Sequence, residues 1–374
     1  MSNDSPKVNH RALKPFDYGT LREDAATFYV NNKVYEGFKN IRISRNLTSL
    51  TGTFEIVLTD KWRVDQEDFE LKPGDRIHCH LGKAALYEGY IDKLSISVTA
   101  QSRNITISGR DKTADLVDCS ILGNNEFNNL SFTEIANALC KPFNIRVLPM
   151  VDVGKKFTKF TVRQGETVFE ALERAAKERQ LLLLSSTHGN LVIDRKGNTR
   201  AASEIIEGVN MLSASVNFDN IERFSEYHVK GQTAGLLGNE ADASQNKGVA
   251  YDRGIKRYRP VLILAENSVD NDGAQKRAEF ESTFRAAKAS IISTVVQGWK
   301  QKDGSLWAPN QTVHIDARSI GVKSDMLINR VRFEQSESGR RVELELIRPD
   351  AFEFKTEIKE EDDPLDGLGW DTRK

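Results

Sequence analysis

Residues 109–120 read GRDKTADLVDCS, and they separate two kinds of pattern in this chain. Before them, apolar and polar residues alternate as they do in half-buried strands, and after them come the caps and the periodicity of helices. Inside the stretch, Asp111, Asp115 and Asp118 follow one another at helical spacing, and Cys119 comes next. The stretch is therefore either an acidic site for a metal or for proton transfer, or the boundary between two structural units.

Helix capping accounts for most of this acidic stretch without any ligand. Asp111 follows a strand pattern and a glycine, which is where an N-cap acceptor belongs. Asp115 would lie in the first turn, where a negative charge favours the helix dipole. A metal site would require the aspartates to converge although Arg110 and Lys112 lie beside them. We therefore favour the capping interpretation, which assigns no role to Asp118.

The residues upstream form short runs of period two, namely TFEIVL, RIHCHL, LSISVT and NITISG. In LSISVT, Leu94, Ile96 and Val98 alternate with polar residues, which predicts that they face the interior. The KPGD sequence at residues 72–75 has the chemistry of a turn. Short strands separated by turns predict a first antiparallel β domain, a small barrel or a sandwich, at residues 27–119.

The next region carries two helix-capping signatures, SFTE at residues 131–134 and TVFE at residues 167–170. The first is followed by an apolar helix face that we expect to consist of Ile135, Ala138 and Leu139. The second runs into two apolar strands joined by a turn at His188-Gly189-Asn190. Helices beside a small sheet predict an α+β domain at residues 120–204.

The β pattern resumes at residue 205 and predicts a second β domain that ends at residue 354. It includes an aperiodic loop at 232–256, a helix at 274–290 and a tight hairpin at Asp303-Gly304 that places Trp299 near Trp307. The flanking regions are predicted to be an N-terminal arm at residues 1–26 and a flexible acidic tail at residues 355–374. The fold class is α+β and mostly β, with two antiparallel β domains and an α+β insert, and the family resemblance described below implies that both β domains are barrels.

Composition limits the class of protein. The chain has 374 residues, of which 39% are hydrophobic and 29% charged, as in globular proteins. A formal net charge of −1 argues against dependence on broad attraction to phosphate backbones. Because it lacks both a long apolar run and an apolar N-terminal region, we expect a soluble chain made in the cytoplasm. Cys79, Cys119 and Cys140 are far apart, which predicts reduced thiols.

Candidate catalytic and metal residues are few. His78 and His80 lie two apart on one strand face, as metal ligands can, but no third ligand is placed to join them. We therefore expect both to be solvent or interface residues. Cys79 alternates with apolar neighbours and Cys140 closes an apolar helix face, so both are expected in the core. No nucleophile motif or glycine-rich phosphate loop is present. The sequence predicts no catalytic, cofactor-binding or metal-binding residues, and no cofactor.

Six stretches in a fixed order give the chain a family resemblance: GYIDK (89–93), GRDKTADLVDC (109–119), ETVFEAL (166–172), RFSEYHVKG (223–231), RYRP (257–260) and GWKQKDGSLWAPN (298–310). The set resembles the baseplate hub, or tail protein P, of Mu-like contractile-tailed phages and prophages. The resemblance covers the chain from about Thr27 to Phe354. The second and the last of these stretches are the specific ones.

The resemblance implies a structural virion protein of the tail baseplate, assembled in the host cytoplasm. It implies a homotrimeric hub with two tail-tube-like barrels per chain, so that six barrels surround the tail axis. Its expected partners are the tail tube or distal tail protein above, the spike protein below and the baseplate wedge proteins. DNA would pass through the channel only transiently, and the host membrane would be reached through the spike. The family brings no catalytic residues.

Three other functions are consistent with parts of the pattern. The first is a tail-associated cell-wall hydrolase that uses Asp111 and Asp115 as its carboxylates. The second is a small-barrel protein that binds nucleic acid or sugar. The third is the spike-hub protein of type VI secretion, which we expect less because its usual continuation into a long β-helical spike is missing after residue 374.

Overall fold

The computed structural model describes residues 26–31, 33–35, 38–59, 71–99, 103–123, 125–177, 179, 181–197, 199–230, 247–264, 271–337 and 339–349. The predicted acidic tail, nearly all of the predicted N-terminal arm and much of the predicted long loop lie outside these residues. In the part of the chain described here, no helix is both long and apolar enough to cross a bilayer.

The described chain is mostly β, as the sequence predicts. Its helices are α1 Ala114–Asp118, α2 Phe132–Cys140, α3 Val168–Lys177 and α4 Asn271–Lys288. Its strands are β1 Ala26–Val30, β2 Lys33–Tyr35, β3 Asn40–Asn46, β4 Thr53–Thr59, β5 Arg76–Leu81, β6 Ala84–Val98, β7 Arg103–Asp111, β8 Glu126–Leu130, β9 Val147–Pro149, β10 Phe157–Thr161, β11 Leu182–Ser185, β12 Leu191–Asp194, β13 Thr199–Arg200, β14 Ile205–Ile206, β15 Met211–Phe218, β16 Glu226–Lys230, β17 Lys247–Tyr251, β18 Pro260–Leu264, β19 Ser290–Gln297, β20 Gln311–Ala317, β21 Val322–Ser336 and β22 Gly339–Ile347.

One 14-stranded sheet contains both of the β regions that the sequence separates. Its strand order is β15-β19-β22-β21-β3-β4-β7-β6-β5-β1-β2, with β20 beside β21 and with β13 and β14 beside β20. The two regions meet where the second half of β21 pairs with β3, with Phe333 opposite Ile43. Among the strands of the described ranges, no pairing closes this sheet into a ring. Barrel closure therefore stays a prediction.

The sheet contains the same five-stranded arrangement twice. The order β3-β4-β7-β6-β5 is repeated as β15-β19-β22-β21-β20. In each copy a 15-residue strand, β6 or β21, is followed by a 9-residue strand, β7 or β22. The long strand is bulged in both copies, between Ile91 and Lys93 in β6 and between Ile328 and Arg330 in β21. Each strand of the first copy therefore has an equivalent strand in the second copy, for example β6 and β21.

A single apolar core runs beneath both copies, and it includes Phe28, Ile43, Phe333, Trp299 and Trp307. Both tryptophans are 2% exposed. The indole Nε1 of Trp299 donates to the carbonyl oxygen of Glu334 at 2.8 Å, so the buried ring keeps a polar partner. The tight hairpin between the two tryptophans is confirmed: Lys300 pairs with Leu306 and Gly304 has φ +83.

The insert forms its own core around α2 and α3. Both capping boxes form, since Ser131 and Glu134 exchange hydrogen bonds, as do Thr167 and Glu170. The predicted inward position of Ala138 is wrong: Ala138 is exposed, and Phe132, Ala136 and Cys140 are buried with Ile135 and Leu139. The buried residues follow the spacing i, i+3, i+4, i+7 and i+8 from Phe132, and Ala138, at i+6, lies on the exposed side of the helix.

A three-stranded sheet, β17-β16-β18, carries α4 on one face. The helix spans Asn271–Lys288, so the predicted bounds of 274–290 are shifted. The prediction of an aperiodic loop through 232–256 is wrong at its end, because Lys247–Tyr251 forms β17. At Gly248, a Cβ atom would lie 2.2 Å from the carbonyl oxygen of Ala274, so the absence of a side chain lets α4 approach the strand.

The alternation in LSISVT predicts the strand correctly but not the burial of its side chains. Leu94 packs against the core, whereas Ile96 is 54% exposed and Val98 is 72% exposed. Strand β5 pairs only with the first half of β6, and the second half pairs only with β7 among the described strands. The apolar face of β6 is therefore exposed in its second half.

We expect Gly109→Ala to destabilise the fold by about 1–3 kcal/mol, because an added side chain overpacks the β6–β7 pair. The Cβ atom would lie 2.0 Å from the carbonyl oxygen of Tyr90 and 2.7 Å from the ring of Phe54. Urea unfolding measures the change. Ser108→Ala on the same strand is the matched control, and equal midpoints for the two variants would contradict the close approach.

Candidate functional site

Asp111 is a buried carboxylate that binds several parts of the chain at once. It is 2% exposed. Its Oδ2 accepts from the backbone N–H of Gly52 at 2.6 Å, and its Oδ1 accepts from the N–H and hydroxyl of Thr113 at 2.9 and 2.5 Å. The hydroxyl of Ser185 on β11 lies close enough to lower the pKa of Asp111, while it donates to the carbonyl oxygen of Ser186 at 3.2 Å. The carboxylate therefore joins the first β region, the start of α1 and the insert.

The N-cap of α1 is Thr113 and not Asp111, so the predicted cap is displaced by two residues. Asp111 still satisfies a backbone donor at this helix start, but its second oxygen binds the distant Gly52. Burial raises the pKa of Asp111, and the hydrogen bonds from Thr113, Ser185 and Gly52 oppose that rise. Both carboxylate oxygens accept hydrogen bonds from the backbone, so the side chain stabilises the fold.

The other acidic residues of the stretch lie on the surface of α1. Asp115 is in its first turn, as predicted. Asp118 accepts two hydrogen bonds from Arg110, at 3.0 and 2.7 Å, while Arg110 also binds Asp92 at 2.8 Å. The carbonyl oxygen of Cys119 accepts from the N–H of Val168. Asp118 and Cys119 thus fasten α1 to the bulge of β6 and to α3.

A cluster of charged side chains surrounds Glu88, which is 7% exposed on β6. Its Oε1 lies 2.6 Å from a guanidinium nitrogen of Arg76 and 2.8 Å from the Nζ of Lys112. Its Oε2 lies 3.8 Å from His78 and 3.7 Å from His188 of the insert turn. Burial alone would raise the pKa of Glu88, but the hydrogen bonds from Lys112 and Arg76 bring it below its ordinary value.

We expected His78 and His80 to be solvent or interface residues, and the structure shows that they do not face solvent. They are 3% and 5% exposed, and the ring of His80 lies 6.0 Å from that of Tyr29 in an edge-on arrangement. Strand β1 and the insert turn around His188 cover the face of β5 that the alternation leaves polar. Burial lowers the pKa of His78 to about 4, against the opposing charge of Glu88. Both rings are therefore neutral packing groups near neutral pH.

Cys79 and Cys140 are buried free thiols. Burial raises the pKa of Cys140 to about 12 and that of Cys79 well above its ordinary value, so both thiols stay protonated. Within the described ranges, no group of three or more His, Cys, Asp or Glu side chains is arranged to hold a metal ion.

Arg45 and Glu88 are the functional candidates that the sequence reasoning missed. Arg45 occupies the same alternation as the buried Ile41 and Ile43, and it is 8% exposed. A cation at an inward position of a period-two strand is a signal that could have marked it. Glu88 has no such signal, because its partners come from three separate parts of the chain.

We expect Asp111→Asn to lower the free energy of unfolding by about 1–3 kcal/mol, because the new amide presents a donor to the donor of Gly52 or Thr113. Asp118→Asn is the matched control, since its exposed pair with Arg110 contributes about 0–1 kcal/mol. Urea unfolding compares the two variants. Equal losses would show that Asp111 is an ordinary surface cap.

The lowered pKa of His78 predicts a pH dependence of stability. Its folded pKa of about 4 lies below the ordinary 6.5, so the unfolded chain binds the proton first and stability falls as pH drops through this window. At about 1.4 kcal/mol per pKa unit, the contribution is about 3–4 kcal/mol. The charges that face the ring are Glu88, Arg76, His80 and Lys112.

His78→Gln should therefore flatten the dependence of unfolding free energy on pH between 6.5 and 4. The control is His228→Gln, which removes a half-exposed imidazole on β16, a strand outside the sheet that contains His78. The measurement is urea unfolding at stepped pH. A wild-type slope in His78→Gln would contradict the buried neutral ring.

Three family models match successive parts of the chain. Residues 26–111 match the N-terminal domain described as Mu phage baseplate assembly protein GpP-like. Residues 113–195 match the second domain of baseplate hub protein gp44-like, and residues 270–355 match the fourth domain of Mu phage baseplate assembly protein GpP. The first two models meet inside the GRDKTADLVDC stretch.

Individual proteins give the same assignment. The baseplate hub protein gp44 of Escherichia phage Mu is 35% identical over 318 residues, which are 82% of this chain and 83% of that protein. The crystal structure of the 43 kDa tail protein of prophage MuSo2 from Shewanella oneidensis is 35% identical, with a TM-score of 0.80 over 88% of this chain and all of that one.

More distant structures share the fold. A tail protein from Neisseria meningitidis is 22% identical with a TM-score of 0.74, over 87% of this chain and 98% of that one. An Escherichia coli component of the type VI secretion system is 11% identical with a TM-score of 0.52, over 86% of this chain and 76% of that one. The phage Mu hub protein is 35% identical over 82% of this chain, and the chain belongs to the baseplate hub protein family of Mu-like phages.

Proposed function

We propose that this chain is a non-enzymatic structural subunit that forms a homotrimeric hub at the centre of a contractile-tail baseplate. The hub joins a hexameric tail tube above to a trimeric spike below, and it lines part of the channel through which DNA leaves. Wedge proteins surround it, and the host membrane is reached through the spike. Assembly takes place in the host cytoplasm.

The twofold repeat within the sheet is the observation that carries this proposal. The arrangement β3-β4-β7-β6-β5 recurs as β15-β19-β22-β21-β20. Three chains that each contain two copies present six similar units around an axis. Such a ring offers sixfold contacts to a tube and threefold contacts to a spike, since the two copies differ in sequence.

The contact between the two copies within one chain supplies a template for the contact between chains. Beyond its bulge, β21 pairs with β3, with Val331 opposite Arg45 and Phe333 opposite Ile43. Val331 and Phe333 are fully buried there. The second half of the long strand in one copy therefore covers the first strand of the other.

The strands equivalent to this contact, the second half of β6 and strand β15, each have one unpaired edge among the described strands. Beyond its bulge, β6 pairs only with β7 among the described strands, and the stretch of β15 from Ser213 onward pairs only with β19. The strand registers make Ile96 the counterpart of Phe333 and Val216 the counterpart of Ile43. Ile96 is 54% exposed where Phe333 is buried, and Phe218 at the end of β15 is 55% exposed.

The second half of β6 in one copy would then pair with β15 in the next, as β21 pairs with β3 within the chain. In this register Ile96 lies opposite Val216 of the neighbouring copy. The contact joins two different surfaces, so it closes into a ring after three chains and leaves neither edge open. Backbone hydrogen bonds and buried apolar side chains both contribute to it.

Two further features support a structural role in a conduit. The formal net charge is −1, which suits a channel through which DNA moves without being held, because strong binding to phosphates needs clustered cations. The oxygens of Asp111, the carboxylate that a hydrolase would use, are engaged by Gly52 and Thr113. Asp111 thus contributes to the fold in this proposal.

Light scattering should give a mass three times the 42.1 kDa of one chain for the full-length protein. Ile96→Asp should shift this mass towards the monomer, because a charge would be buried without a partner in the β6–β15 contact. The matched control is Leu122→Asp, at a residue of the insert that is 95% exposed. A wild-type monomer at micromolar concentration, or a stable Ile96→Asp trimer, would contradict the proposal.

A pair of cysteines tests the register. Directly opposed residues of antiparallel strands have Cβ atoms about 4.5–5.5 Å apart, within reach of a disulfide after small adjustment. Ile96→Cys combined with Val216→Cys should give a covalent trimer under mild oxidation, and either single variant should not. Covalent products from a single variant would mean that the crosslink does not report this pairing.

A further inference from the structure

A cleft of about 250 Å³ lies where the first β region, the insert and the second β region meet. Arg45 and Leu50 line it from the first region, Ser185 and Asp194 from the insert, and Asn310 from the second region. None of these residues belongs to the β6 or β15 edges. The cleft is therefore a separate feature of the molecule.

Arg45 is the only cation among the residues that line this cleft in the described chain, and it is 8% exposed. The stem of its side chain packs beside Gly52, where an added Cβ atom would lie 2.9 Å from its Cγ. Its Nε is fully buried and has no hydrogen-bond partner among the described residues. The charge of Asp111 acts on it, but the oxygens of Asp111 already accept from Gly52 and Thr113.

A guanidinium in this position requires an anion. Removing a cation from water costs several kcal/mol unless hydrogen bonds and an opposite charge compensate it. Burial lowers the pKa of Arg45, because the charged guanidinium is less stable away from water. A carboxylate in the cleft would supply the acceptors in the bidentate geometry that arginine favours.

The remaining walls favour a peptide over a free phosphate. Asn310 is 3% exposed and held rigidly: its amide donates to Asp194 at 3.1 Å and to the carbonyl of Arg195 at 2.7 Å, and its oxygen accepts from Gly197 at 2.8 Å. The carboxylate of Asp194 repels any anion, and it repels a phosphate dianion more strongly than a single carboxylate. The apolar walls, which no phosphate would use, are Leu50, Met150, Leu184, Val192 and Pro309.

The described chain ends beside this cleft. Ile347, the last residue of β22, belongs to an apolar cluster with Leu327, and Leu184 of the cleft wall packs against the same cluster. The sequence after Pro349 contains the unbroken acidic run Glu360–Asp363. At about 3.3 Å per residue, the eleven residues from 350 to 360 reach up to about 36 Å.

We propose that this cleft binds the acidic C-terminal segment, residues 350–374, through a carboxylate that pairs with the buried Arg45. The inference does not rest on the trimer. In this proposal, the C-terminal segment contacts all three regions that meet at the cleft and holds them together. The contact would offset the cost of burying Arg45.

Hydrogen–deuterium exchange of the full-length protein tests this. In the wild type, peptides from residues 350–374 should exchange at least several-fold more slowly than an unstructured peptide, and Arg45→Met should abolish this protection. Arg42→Met is the matched control, because Arg42 lies on the other face of β3 with a side chain 52% exposed. Unprotected exchange of residues 350–374 in the wild type, or protection that survives in Arg45→Met, would overturn the proposal.

A second variant guards against misfolding of Arg45→Met. Replacing Glu360, Glu361, Asp362 and Asp363 together by their amides changes no described residue, and it should also abolish the protection. Titration with inorganic phosphate distinguishes the other source of an anion. If phosphate raises the melting temperature of the wild type but not of Arg45→Met while residues 350–374 exchange freely, the cleft binds a free anion and the proposal fails.

Discussion

The buried carboxylate of Asp111 is the interaction on which the assembly of this chain depends. Its oxygens bind the backbone of Gly52 on one side and of Thr113 on the other, and Ser185 brings in the insert. A carboxylate with several donors is stable when buried, whereas each of those donors would be costly alone. The same residue therefore fixes where β7 ends, where α1 begins and where the insert docks. The acidic stretch marks a structural joint.

Around that joint, the fold uses one arrangement twice. Each copy has a long bulged strand whose first half belongs to its own unit and whose second half extends towards another. Inside the chain the second half of β21 is covered by β3, and the second half of β6 is left with exposed apolar side chains. In the proposed trimer, the next chain covers this open half of β6.

The sequence predicted local features well and long-range ones poorly. The capping boxes at Ser131 and Thr167 formed as expected because each needs only residues three positions apart. The hairpin at Gly304 followed from its turn chemistry. The burial of His78 and His80 was missed because the residues that cover them, Tyr29 and the turn at His188, are distant in the chain. The inward position of Ala138 was wrong because several faces of a short helix look apolar.

The sequence by itself determined the strand and helix content, the caps and turns, and the family, since these depend on periodicity and on ordered motifs. Only the tertiary structure decided which faces are covered, which strands pair across the two β regions and which charges are buried together. Arg45 shows the reason. It lies two residues after Ile43 on β3, and this spacing predicts that its side chain faces inward. Its environment is formed by Gly52, Asp111 and the insert, which come near it only when the chain has folded. Pairing and burial depend on contacts across many residues, and a linear pattern does not contain them.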